Sequence, residues 1–155
     1  MFNTILVAVA LQDGEEVSTH ALAARDVAAA MAQNPSQVLH VLSVYTYPEE
    51  QWCGIPGASN AEFHAGLIRR TDDMMKRKMA AHVAPLHTKE IQITTHLRVG
   101  EPRDVLVHAA VELNADVLII GTHSKRSVFD VGLGGTAQHV SRHASCVVVL
   151  VRPKR

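Results

Sequence analysis

The residues best suited to chemistry lie near the C-terminus. Val117 to Ile120 is a short run of buried-strand type that ends in Gly121, and a polar, basic loop follows: Thr122-His123-Ser124-Lys125-Arg126. A second glycine cluster, Gly132-Leu-Gly-Gly-Thr136, leads into a helix-like stretch from Ala137 to His143. Strand, loop and helix N-terminus in this order make a phosphate-sized anion site. Amides with no partner inside the helix point outward, and glycine lets an anion approach the main chain. Lys125 and Arg126 stand where they either reach phosphates or simply solvate the loop.

Rival chemistries lack their residues. A Walker-type hydrolase needs G-x4-G-K-[ST], which is absent, as are the S-G-G-x-D-S and H-x-G-H signatures of nucleotide-consuming synthetases and the G-x-S-x-G elbow of serine hydrolases. His123 is the imidazole expected in the cleft. It suits a hydrogen bond to phosphate better than general-base work, although a slow hydrolase using it stays open. Of the ten histidines, His139 and His143 are four apart on a predicted helix and share a face. They are half a metal site, with no carboxylate at helix spacing beside them. The other histidines read as scattered, solvated or packed.

These residues need elements to hold them. Ile5-Leu-Val-Ala-Val9 is a continuous apolar run, as in a strand covered on both faces. Asp13 and Glu16 have capping-box spacing and predict a long alanine-rich helix to about Gln33, ended by Asn34-Pro35. Val38 to Val44 is the second strand. Tyr45 to Ser59, with Pro48, Gly54, Pro56 and Gly57, reads as a long loop, a mobile one rather than a lid. Asn60 to Val83 reads as a helix with Phe63, Leu67, Met74, Met75, Met79 and Val83 near one face, the methionines serving as core filler. Ile91 to Val99 alternates like an edge strand, Pro102 opens a helix that Asn114 closes, and Val117 to Ile120 and Cys146 to Val151 are strands four and five. Alternating strands and helices mean a parallel sheet with helices on both faces and right-handed crossovers. Ligands in such sheets sit at the carboxyl ends of the strands where strand order reverses, here the ends of strands one and four.

Composition sets the outer limits. The chain of 155 residues suits one domain, residues 1–155, and 15 basic residues balance 15 acidic ones, which argues against nucleic-acid binding by bulk charge. Cys53 and Cys146 have no metal or redox spacing and fit a reducing compartment. The N-terminus lacks the basic region of a signal peptide, and no apolar run approaches the ~20 residues of a membrane span, so a cytoplasmic protein without membrane contact is expected.

The chain resembles the universal stress protein family. Three features carry the likeness: Ile5 to Val9 with Asp13-Gly-Glu-Glu-Val-Ser-Thr-His-Ala-Leu22, then Val99-Gly-Glu-Pro102, then Gly121 through Gly134 to Cys146-Val-Val-Val-Leu-Val-Arg152. The resemblance implies a Rossmann-like, doubly wound α/β fold with a five-stranded parallel sheet of order 3-2-1-4-5. It implies a homodimer paired through Val147 to Val151, and a regulatory protein that binds an adenine nucleotide, ATP or AMP, with or without Mg. The rivals it leaves are a non-binding dimeric interaction protein and a weak ATP hydrolase.

Binders in this family carry G-x2-G-x9-G-[ST]. Here Gly121 and Gly134 match, Ser124 takes the second glycine's slot, Gly135 takes the hydroxyl slot, and Thr136 supplies a hydroxyl one residue late. The resemblance thus implies nucleotide contacts from Gly121, His123, Ser124, Lys125, Gly134, Gly135 and Thr136. It implies contacts from Val9, Ala10 and Asp13 after strand one, and puts Val41 against the adenine. Binders place an aspartate at the end of strand one. Counting along the strand, that position is Ala10. Counting back from the helix it is Asp13, and Ala10 to Gln12 become an insertion.

Overall fold

The computed structural model describes residues 2–48, 61–122 and 134–154. Five parallel strands form one sheet: β1 (Thr4–Ala8), β2 (Val38–Tyr45), β3 (Gln92–Val99), β4 (Val117–Gly121) and β5 (Val147–Val151), in the order β3-β2-β1-β4-β5. The helices are α1 (Thr19–Met31), α2 (Ala61–Val83), α3 (Pro102–Glu112) and α4 (Gly135–His143), and a 3-10 turn, Ala84–Thr88, follows α2. The expected strand order is therefore observed, and strand order reverses between β1 and β4.

Strand parity sorts the core into two layers. In β1, Ile5 and Val7 pack with Leu39, Val41, Val117 and Ile119 under the buried alanines of α1 and Met75 and Met79 of α2. Leu6 and Ala8 point the other way and pack with Leu42, Leu118 and Ile120 under Leu106 and Ala109 of α3 and Val140 of α4. The register keeps neighbours on the same face: Ala8 pairs with Leu42 of β2 and Ile120 of β4. Both faces of the central strands are covered, which is why they read as unbroken apolar runs. β3 lies at the sheet edge, as its alternation predicts.

The start of α1 differs from expectation. Its N-cap is Ser18, whose Oγ accepts a hydrogen bond from the Ala21 amide at 3.2 Å, while Asp13 lies exposed in the preceding loop. That loop is held elsewhere. The Gln12 side chain exchanges two hydrogen bonds with the Thr46 backbone (2.6 and 3.0 Å), and Lys78 Nζ of α2 donates to the carbonyls of Gln12 and Gly14 (3.1 and 2.8 Å). Gly14 turns the chain at φ +79°, so the helix begins at the next good cap.

The α2 expectation also needs trimming. Met75, Met79 and Val83 are buried, but Phe63 is exposed, because only the C-terminal half of α2 lies against the core. Near that half, Asp72 Oδ1 accepts from both Tyr45 (2.6 Å) and Tyr47 (2.8 Å), which ties the end of β2 to α2. These two bonds hold the Asp72 carboxyl below its ordinary range.

The close of α3 matches expectation. Asn114 adopts φ +49°, the Ala115 amide donates to Ala110 O, and the Asn114 amide donates to Val111 O. This is a Schellman cap, with asparagine in the position that favours glycine. No helix among the described residues is long and apolar enough to cross a membrane.

Candidate functional site

A cleft of about 280 Å³ opens at the carboxyl ends of β1 and β4, on the α3/α4 side of the sheet. The volume lies just below the usual range of about 300–1,000 Å³ for small-molecule sites. Its apolar lining includes Leu42, Val44, Pro102 and Leu106; Gly134, Gly135 and Thr136 at the start of α4 line it as well, as does the exposed Ala10. Ser18, His20 and Thr122 are the other polar residues of its lining.

The start of α4 exposes main-chain amides to the cleft lining. The first bond inside this helix is from the Gln138 amide to Gly134 O (3.0 Å), so the amides of Gly135, Thr136 and Ala137 have no acceptor within it. The N-cap residue Gly134 has no side chain with which to cap them. The contrast with α1 is physical: there the Ser18 hydroxyl occupies one of those amides. A Cβ on Gly134 or Gly135 would meet nothing within 4 Å among the described residues.

Gly121 has a different role. It faces α1, and a Cβ there would stand 2.7 Å from the His20 carbonyl oxygen. This glycine lets the first turn of α1 close over the end of β4. Its neighbour Thr122 is anchored by its amide to Val151 O at 2.9 Å.

The sequence-predicted residues divide accordingly. Val9, Ala10, Gly121, Gly134, Gly135 and Thr136 all line the cleft. Asp13 does not; its neighbours Gln12 and Gly14 are tied to α2, on the other side of the sheet. Ala10 therefore takes the strand-end position, and Ala10 to Gln12 is not a bulge that returns Asp13 to it. Val41 does not line the cleft either. It is fully buried in the α1/α2 layer, and strand parity gives its expected place to Leu42 and Val44. His123, Ser124 and Lys125 lie outside the described residues, as do Arg126, Cys53 and most of the Tyr45–Ser59 loop.

The comparisons with known proteins agree with this architecture. The family model described as "Universal stress protein family" matches residues 1–152. The chain belongs to the universal stress protein family. Among curated relatives, a universal stress protein of Thermus aquaticus is 33% identical over 152 residues, covering 98% of this chain and 100% of that protein. Universal stress protein G of Salmonella typhimurium is 31% identical over 121 residues, covering 74% and 78%.

Two solved universal stress protein structures share the fold. One, from Arabidopsis thaliana with AMP bound, has a TM-score of 0.68 at 16% identity and covers 98% of this chain and 92% of that one. The other, in complex with cAMP, has a TM-score of 0.57 at 23% identity and covers 99% and 98%.

Histidine pairing was less legible in the sequence. His40 Nδ1 and His96 Nε2 lie 2.9 Å apart on β2 and β3, although 56 residues separate them. One ring donates to the other, and partial burial lowers the pKa of both. His139 and His143 stack at 4.2 Å between centroids, with Asp104 of α3 3.8 Å from His139. The carboxylate thus comes from a neighbouring helix. Among the described residues no three His, Cys, Asp or Glu are grouped to hold a metal ion.

Proposed function

We propose that this universal stress protein binds an adenine nucleotide in the cleft and acts as a cytoplasmic, homodimeric regulator in the stress response. One observation carries the reading: the start of α4, whose first amides have no acceptor within the helix, lines the same cleft as the apolar Leu42, Val44, Pro102 and Leu106. Phosphate oxygens would take the amides of Gly135 and Thr136, where the helix dipole adds its partial positive charge. The base would lie on Leu42, Val44, Pro102 and Leu106. Val9, Gly121 and Gly134 complete the main-chain walls, and His123, Ser124 and Lys125 would approach from the following loop. The AMP- and cAMP-bound relatives support the ligand class.

Magnesium accompanying ATP would be held by phosphates and water, since no carboxylate lines the cleft among the described residues. The output is regulatory, with slow hydrolysis at most. A non-binding interaction protein is the second reading, favoured by Ala10 standing where a carboxylate would strengthen binding.

Isothermal titration with AMP and ATP tests the site, using Gly134→Asp as the control. That carboxylate would cap the α4 amides and occupy the anion's seat. We expect unchanged or slightly raised stability, by a few tenths of a kcal/mol, with nucleotide affinity at least about tenfold weaker. Equal heats in the wild type and the variant would remove α4 from the site. No heat in the wild type would favour the non-binding reading.

Dimerisation through β5 is the other half of the proposal. β5 is an edge strand on which Val147 is 50% exposed and Leu150 37% exposed. An apolar edge strand invites pairing with a second copy. Leu150→Lys should shift the protein from dimer to monomer in light scattering coupled to size exclusion; a wild type that is already monomeric would refute the interface.

A further inference from the structure

The cleft takes lining from both ends of one loop. Val9 and Ala10 line it where the chain leaves β1, and Ser18, His20 and Ala21 line it where the chain enters α1. Between them Leu11 is buried in the α1/α2 layer, but Asp13 to Glu16 are exposed and have no core of their own. Side chains reaching across set the shape of this stretch. Lys78 Nζ donates to Gln12 O at 3.1 Å and to Gly14 O at 2.8 Å, around the turn that Gly14 makes at φ +79°. An ammonium carries three donors on one charged point, so it can serve two carbonyls at once. Gln12 in turn exchanges hydrogen bonds with the Thr46 backbone, and Tyr45 and Tyr47, on either side of Thr46, both donate to Asp72 of α2. α2 therefore fixes the carboxyl ends of β1 and β2 together, and Val44 of β2 lines the cleft too. Lys78 does not line it. Its helix packs on the α1/α2 layer, across the sheet from α3 and α4.

We infer that Lys78 is a positioning residue for the cleft: by fixing the turn of the β1–α1 loop it sets where Val9–Ala10 and Ser18–Ala21 stand, without touching a ligand. The inference rests on the nucleotide reading above and deepens it, since it names a control point for that site on the far face of the sheet. Such control works through populations. A site whose walls hold the binding shape only part of the time loses affinity in proportion. Hydrogen bonds from a charged donor are each strong enough to shift that balance about tenfold or more.

Titration calorimetry with AMP tests this on the wild type, Lys78→Met, Lys76→Met and Asp116→Ala, at a temperature where thermal melts show every protein folded. Lys78→Gln takes the place of the methionine variant should that one fail to fold. Lys76→Met removes the same charge from an exposed neighbour on α2, and Asp116→Ala removes bonds at the opposite, amino ends of β1 and β4. Lys78→Met should bind AMP about tenfold more weakly, with both controls within about twofold of the wild type. Hydrogen exchange adds a readout that needs no ligand. The Thr46 amide, which donates to Gln12 Oε1, should exchange faster in Lys78→Met and at the wild-type rate in the controls. Wild-type AMP affinity in Lys78→Met, an equal loss in either control, or an unchanged Thr46 amide would overturn the inference while leaving the nucleotide site intact. Failure of AMP to bind the wild type would instead overturn the nucleotide reading, and this inference with it.

Discussion

A side-chain carbon on Gly121 would stand 2.7 Å from the carbonyl oxygen of His20, so the last residue of β4 and the first turn of α1 touch through bare backbone. The glycine that most resembles a ligand-binding residue in the sequence is thus first a packing residue. Gly121→Ala should cost about 1–3 kcal/mol, the usual penalty for overpacking. Gly135→Ala, with open space around its Cβ, should be neutral or gain up to about 1 kcal/mol through helix propensity. Urea unfolding of the two variants checks the contrast; equal losses would show that the close contact relaxes freely.

Ser18 sets where α1 begins. Ser18→Ala removes the hydroxyl that accepts from Ala21 and should lower stability by about 1 kcal/mol, whereas Ser18→Asp should retain most of it. If Asp13→Ala proved the more damaging change in the same unfolding assay, the helix would begin at the earlier capping box instead.

Asp116 joins the start of β4 to the chain's N-terminal strand. Its Oδ2 accepts from the amides of Asn3 (2.7 Å) and Thr4 (2.9 Å), and these bonds hold its carboxyl below the ordinary value of 3.8. A carboxyl lowered by folding contributes stability that is present above pH 3.8 and lost as pH falls through the lower folded value. Asp116→Ala should therefore melt below the wild type at pH 7, with the gap narrowing as the solution is acidified past that point. A gap of constant size would mean that the bonds do not depend on the charge.

His82 makes the opposite kind of pH claim. It is 2% exposed at the end of α2, and neither ring nitrogen has a hydrogen-bond partner among the described residues. Burial, reinforced by Arg25 and opposed by Asp26, pushes its pKa down to about 4, while the unfolded value is 6.5. Between these values the unfolded chain binds the proton and the native state does not. Stability should fall by on the order of 3 kcal/mol from pH 6.5 to 4 on this account, and no further below. His82→Leu should flatten that part of the stability curve measured in urea. A parallel decline in variant and wild type would assign acid sensitivity to other groups.

The sequence by itself determined the strands and the layered fold, while the order of the strands came from its resemblance to the family. Short β-branched runs such as Ile5 to Val9 and Val117 to Ile120 suit strands covered on both faces, and β/α alternation leaves few topologies. It also marked Gly134 and Gly135 at the start of α4 as cleft residues, because that signal is local. The tertiary structure decided what depended on distant partners. Asp13 and Glu16 fit a capping box, yet Thr46 and Lys78, 34 and 66 residues beyond Gln12, hold that loop in another shape. Val41 and Leu42 are equally apolar, and only the position of α3 and its Leu106 tells which of them faces the cleft. The preference of a residue for its own neighbours is written in the chain. Which side of a sheet becomes a binding site depends on what packs across it.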